Sequence, residues 1–274
     1  MTTTTPLLIA VAPNGARRTQ ADHSTLPLTP GELAETAVQC CEAGAAMIHL
    51  HVRDRADLHT LDPATYRLAI KEVEQAVGDR MLIQVTSEAA GVYQAAQQMA
   101  AMRELAPKCV SIGLREIISD DEDKDAGARF LAELSAHGTL IQYILYSVKD
   151  IRWYQQLCSE SVIPRQDNMV LLVIGRYSEP EFQAEPLAEY LNTLSHAEQW
   201  MVCAFGKKEP NVMRHAIRHG GHCRVGFENN LWLPDGSVAE NNAALITVTA
   251  SAAKESGRTL ITDGVSAAQL FGGV

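Results

Sequence analysis

The amino-acid sequence predicts an α/β protein built as a closed (β/α)8 barrel, and three observations point there. Short β-branched runs alternate with longer helical patterns along the chain, which implies a parallel sheet covered by helices. The alternation repeats eight times within 274 residues, close to the roughly 250 residues such a barrel uses. An open doubly wound sheet is the alternative. It usually carries GxGxxG after its first strand, whereas this chain has Ala12-Pro13-Asn14-Gly15-Ala16-Arg17 there.

The elements follow in order. Leu7–Pro13 reads as a strand and Pro30–Ala43 as a helix, with Thr29 as N-cap, Pro30 at the first helical position and Gly44 closing it. Met47–Arg53 is a strand; Pro63–Val77 is a helix capped by Asp62 and stopped by Gly78. Leu82–Ser87 pairs with the helix Val92–Leu105, and Cys109–Leu114 with Asp125–Ala136. Leu140–Ser147 pairs with Val148–Cys158, and Met169–Gly175 with Pro186–Leu194. Trp200–Gly206 leads to Pro210–Arg218, ended by Gly220, and His222–Phe227 leads to Ala239–Lys254. No linker or composition shift divides the chain. We expect a single barrel domain over 1–274, with a tail from about Gly257 packed on the barrel or on a neighbouring subunit.

A net charge of −10 leaves no basic stripe for nucleic acid and no attraction to an anionic membrane. No stretch approaches the roughly 20 apolar residues of a membrane span, and the N-terminus lacks the basic region of a signal peptide. Cys40, Cys41, Cys109, Cys158, Cys203 and Cys223 form no CxxC pair, and three of them fall at or within apolar strand-like runs. They read as reduced thiols of a cytoplasmic protein.

Chemistry concentrates in Ile48-His49-Leu50-His51-Val52-Arg53-Asp54. Residues two apart on a strand share a face, so His49 and His51 project together and can chelate one metal ion. Arg53 continues that face, and Asp54 breaks the strand. Partnership in a hydrogen-bond network is the plainer reading of such a pair, but a buried imidazole needs a partner and a metal is a good one. Active sites of these barrels lie at the C-terminal strand ends. Polar residues there are Asn14 and Arg17, then Thr86, Ser87 and Glu88, then Arg115 and Glu116, then Tyr146 and Ser147. Arg176 and Tyr177, Lys207 and Lys208, and finally Arg224, Glu228, Asn229 and Asn230 follow. Arginine recurs among these ends and suits an anionic substrate, while Lys207 and Lys208 read as exposed loop charges. A catalytic zinc usually takes three protein ligands. Glu228 is the best third ligand, because the last strand of a closed barrel returns beside the first. His222 competes, but it opens its strand and so sits at the opposite rim. His23, His59, His137, His196, His215 and His219 fall in loops or helices and read as surface or structural.

These segments resemble the β-keto acid cleavage enzymes. The likeness is carried by Leu26-Pro27-Leu28-Thr29-Pro30, Gly44 to Asp54, Gln84-Val85-Thr86-Ser87, and Gly220 to Asp235, and spans nearly the whole chain. It implies a zinc-dependent (β/α)8 TIM barrel, commonly a homotetramer, that condenses a β-keto acid with acetyl-CoA and releases acetoacetate and a new CoA thioester. Carried over, His49, His51 and Glu228 hold the zinc, or another divalent metal. Arg224 matches the family's active-site arginine, and Ser87 a serine of the substrate pocket. Two departures stand out. Well-described members have an acid where this chain has Arg17, and an aspartate where it has Asn229. A neutral amide cannot serve as the base, so Glu116 or Glu88 is expected to supply it. Arg17 points to a dicarboxylic β-keto acid, with Asn14, Thr86, Arg115 and Asn229 as further substrate contacts. A metal-dependent hydrolase or aldolase, or a ligand-binding barrel without chemistry, are the competing readings.

Overall fold

The computed structural model describes residues 5–164, 169–176, 187–194 and 199–272. Tyr177, Pro186 and His196, and Gly273 and Val274 of the tail, lie outside the described residues. Eight parallel strands close into a barrel in the order β1 (Ile9–Val11), β2 (Met47–Leu50), β5 (Leu82–Thr86), β6 (Cys109–Gly113), β7 (Leu140–Leu145), β8 (Met169–Ile174), β9 (Gln199–Ala204) and β10 (His222–Val225), and β10 pairs back with β1. The open-sheet alternative is therefore excluded.

Helices α1 (Pro30–Glu42), α2 (Pro63–Val77), α3 (Ala95–Leu105), α5 (Lys124–Ala136), α6 (Val148–Ser159), α7 (Leu187–Thr193), α8 (Glu209–Arg218) and α9 (Asn242–Glu255) follow successive barrel strands. The caps act as expected. Thr29 and Glu32 form a capping box around Pro30, and the Asp62 carboxylate accepts from the Thr65 amide. No helix among the described residues is long and apolar enough to cross a membrane.

Two boundaries differ from expectation in ways that matter. The second strand stops at Leu50. Val52–Arg53 (β3) turns out to pair antiparallel with His59–Thr60 (β4) in a small hairpin, closed by the Asp54 side chain accepting from the Ala56 and Leu58 amides. Arg53 therefore does not continue the histidine face. Its guanidinium donates to the carbonyls of Gly15 and Arg18, bracing the loop after β1. The fourth strand ends at Gly113 and gives way to a one-turn helix α4 (Leu114–Ile117), so Arg115 and Glu116 sit on a helical turn rather than on a strand end.

The barrel interior is filled by side chains of alternating strand positions, among them Met47, Leu82, Cys109, Met169, Leu171 and Met201. The tail packs on its own barrel. Ile261, Ala267 and Phe271, around α10 (Gly264–Gln269), join that inner cluster and plug the N-terminal end. Gly264 permits this, because a Cβ there would lie 2.5 Å from the Met81 backbone carbon. The opposite end stays open, and the polar strand ends face it.

Closure at β1 and β10 depends on Gly226. Its φ is +143°, and a Cβ would sit 2.3 Å from the Ala12 carbonyl oxygen, which accepts from the Glu228 amide at 3.1 Å. Gly226→Ala should therefore cost about 3 kcal/mol in urea unfolding. An unchanged midpoint would show that the seam tolerates a side chain.

Candidate active site

Three side chains meet at the open end. His49 ends β2 with Leu50, His51 follows it, and Glu228 stands three residues past β10. His49 Nε2 and His51 Nε2 are 3.1 Å apart, and Glu228 Oε2 lies 3.7 Å from the first and 3.4 Å from the second. All three residues are buried. Bond lengths of about 2.0–2.1 Å in a tetrahedral zinc site imply ligand edges of roughly 3.3 Å, so this triangle has the right size.

The protonation pattern also fits. His49 Nδ1 lies 2.8 Å from Gln84 Oε1, an acceptor, which places the proton on Nδ1 and leaves the Nε2 lone pair facing the triangle. Burial, with Arg224 nearby, lowers the His49 pKa well below the usual imidazole range, so the ring is neutral. Burial alone would raise the Glu228 carboxyl, but Arg224 and the two histidines outweigh it and hold the acid ionised. Glu228 Oε2 has no hydrogen-bond donor. The His49 lone pair, the His51 Nε2 beside it and an unpartnered carboxylate oxygen, all buried, fit a divalent cation at their centre.

Gln84 itself is fixed from behind. Its amide donates to Gln142 Oε1 at 3.2 Å, and Gln142 in turn reaches Met201 Sδ at 3.7 Å. A polar ladder thus crosses the barrel beneath the triangle. Sequence reasoning missed Gln84, although a glutamine sharing the inward parity of Leu82 and Thr86 in an apolar run was the signal. On the other side, Asn14 donates to the His51 carbonyl at 3.1 Å and to Pro27 at 3.0 Å. His59, read as surface or structural, is buried against the His51 ring, and its Nε2 donates to the Glu88 carbonyl at 2.9 Å. His222 lies at the opposite rim, accepting from the Leu8 amide.

A cavity of about 270 Å³ opens over the triangle. Arg17, Thr86, Glu88, Arg115, Glu116, Arg176, Arg224 and Glu228 line it together with His49. Arg224 donates from Nη2 to Glu228 Oε1 at 3.0 Å, while its buried Nε and Nη1 have no hydrogen-bond partner. Glu88 Oε2 is 3.7 Å from His51 Nε2, and burial pushes its carboxyl pKa up against the pull of His51. Glu116 is more committed, since its Oε2 accepts from the Ala89 amide at 3.0 Å and from Gln98 at 2.8 Å. The Arg115 guanidinium sits over the Tyr146 ring, its Cζ 3.9 Å from the centroid. Three expected substrate contacts are placed elsewhere. Asn14, Ser87 and Asn229 are fully buried and lie off the cavity wall, with Ser87 Oγ donating to the Ser111 carbonyl.

A family model described as beta-keto acid cleavage enzyme matches residues 6–269. This chain belongs to that family. Among curated relatives, the 3-oxoadipate:acetyl-CoA acetyltransferase of Cupriavidus necator is 25% identical over 94% of this chain and 92% of its own. A 3-keto-5-aminohexanoate cleavage enzyme of Fusobacterium nucleatum is 27% identical, over 93% and 94% respectively. Among solved structures, ObcA in binary complex with oxaloacetate superposes with a TM-score of 0.72 at 15% identity, over 91% of this chain and 68% of that one. That likeness bears on the fold alone. The family member described here is thus an enzyme of the β-keto acid cleavage class on a TIM barrel, with a His–His–Glu cluster at its open end.

The cluster sets a test. Gln84→Leu keeps the volume but removes the acceptor for His49 Nδ1, and should weaken metal binding about 10- to 100-fold in chelator competition. Glu228→Ala should abolish stoichiometric binding. Full affinity in Glu228→Ala would place the metal elsewhere, and full affinity in Gln84→Leu would remove the orienting role of Gln84.

Proposed function

We propose that this protein is a zinc-dependent β-keto acid cleavage enzyme. It would condense a β-keto acid with acetyl-CoA to give acetoacetate and a new acyl-CoA. The observation that carries the reading is the buried His49–His51–Glu228 triangle beside an arginine with two unpartnered buried nitrogens. A divalent metal bound by those three residues supplies Lewis-acid polarisation of a carbonyl.

The chain's own residues do the rest. Arg224 donates from Nε and Nη1 to anionic oxygen on the substrate, where negative charge develops. Glu88 takes the proton from the carbon between the keto and carboxylate groups. Burial raises its pKa and so makes it a stronger base, and it faces the triangle, whereas Glu116 is held by two donors. The resulting carbanion attacks the thioester carbonyl and expels CoA thiolate. The thiolate adds to the former keto carbon, the bond between that carbon and the carbanion carbon breaks, and a new thioester forms. Acetoacetate leaves after taking back the proton from Glu88.

The substrate side chain is read from the cations. Arg17, Arg115 and Arg176 line the cavity beyond Arg224, and three cations there favour a second carboxylate. The Cupriavidus relative, named for 3-oxoadipate, supports a dicarboxylic β-keto acid. Family membership favours acyl exchange over a hydrolase, an aldolase or a chemically silent barrel. A homotetramer in the cytoplasm completes the proposal, and the six free thiols fit a reducing compartment.

Zinc-loaded enzyme should form acetoacetate from a panel of β-keto acids only when acetyl-CoA is present, fastest with dicarboxylic members. Cleavage without acetyl-CoA would refute acyl exchange. Glu88→Gln should lower turnover at least about 100-fold, and full turnover in both Glu88→Gln and Glu116→Gln would remove the base assignment. Arg17→Ala should cost a dicarboxylic substrate about tenfold or more in kcat/KM relative to a monocarboxylic one. Equal rates on both classes in the wild type would remove that support.

A further inference from the structure

The rim between β9 and β10 carries a feature that the cavity chemistry does not use. Lys207 and Lys208 are exposed on the turn after β9, two and three residues past Phe205, which lines the cavity. Trp232 stands beside Lys207, whose Nζ is 5.4 Å from the ring centroid. The Gly206 amide donates to the Asn229 carbonyl at 3.0 Å and ties the two loops together.

This shelf is held firmly. The Asn230 side chain accepts from the Trp232 amide at 3.0 Å and donates to the Trp232 carbonyl at 2.7 Å. The same amide nitrogen donates at 2.8 Å to Glu209, a buried carboxyl in the first turn of α8. Beyond Trp232 the chain folds back, with Leu233 donating to Ser237 at 2.8 Å and Trp232 bridging to Val238. A half-buried indole is thus fixed next to the Lys207 ammonium, with Lys208 following it, on the turn that leaves the cavity wall at Phe205. Such a pairing suits a ligand with a flat heteroaromatic ring and several phosphates: the ring stacks on the indole, and the ammonium groups take the phosphate charge. The protein as a whole carries −10, so this local concentration of cations also offsets general repulsion of a polyanion.

We infer that Lys207, Lys208 and Trp232 form the docking site for the phosphorylated nucleotide end of the CoA thioester. This rests on the proposed use of acetyl-CoA. The pantetheine arm would then run past Phe205 and Arg176, which line the cavity, and bring the thioester to the triangle. The keto acid lies deeper and does not touch the shelf.

The test separates this site from the reaction. Adenosine 3′,5′-bisphosphate, the nucleotide end of CoA without the arm, is titrated calorimetrically into wild type, Lys207→Ala/Lys208→Ala and Trp232→Ala. Binding to wild type, weakened about tenfold or more (~1.4 kcal/mol) in both variants, is expected. In turnover, the variants should raise the KM for acetyl-CoA by a similar factor while leaving that for the keto acid unchanged. Equal binding of the probe by all three proteins, or no binding by wild type, would overturn the site even if acetyl-CoA-dependent turnover stands. Absence of acetyl-CoA-dependent turnover would overturn the functional reading, and probe binding would then still decide whether the shelf takes a nucleotide.

Discussion

Three buried electron-pair donors pointed at one another are the constraint on which the site depends. His49, His51 and Glu228 bring two imidazole nitrogens and a carboxylate oxygen to 3.1–3.7 Å of one another. Gln84 fixes the His49 proton on the far nitrogen, burial and Arg224 keep that ring neutral, and Arg224 keeps Glu228 ionised. A cation at their centre suits such an arrangement. Barrel closure imposes it, because β10 returns to β1, and β1 lies beside β2. The Gly226 turn then carries Glu228 over the seam, where its amide bonds to Ala12.

The layers around the triangle follow from the same demand. Beneath it, Gln84 and Gln142 form a ladder inside the barrel that orients one imidazole. Beside it, Asn14 holds the His51 backbone, and His59 holds the backbone of Glu88. Above it, the cavity wall brings Arg17, Arg115, Arg176 and Arg224, from four different parts of the chain, towards three carboxylates. Local cationic character thus coexists with a net negative chain, as a site for small anions requires.

Much of this was legible in the residues. Eight strand–helix repeats implied the barrel, two-residue spacing put both histidines on one face, and closure nominated Glu228 over His222. What escaped was set by tertiary contacts that no local pattern encodes. The strand ends at Leu50 because the next residues find a hairpin partner in β4, which takes Arg53 away from the site to brace the loop after β1. Glu116 stands at the expected height but on α4, where Gln98 and the Ala89 amide occupy it. Ser87 and Asn229 lie at the right strand ends but off the cavity wall, a matter of side-chain direction. Gln84 was visible in principle, as a polar residue of inward parity.

A metal ion is expected to complete the triangle. Anomalous scattering from crystals of the zinc-loaded protein, recorded above and below the zinc edge, tests it most directly. One strong peak is expected between His49 Nε2, His51 Nε2 and Glu228 Oε2. A peak elsewhere, or none at that point, would contradict it and leave the two imidazoles as a proton-sharing pair.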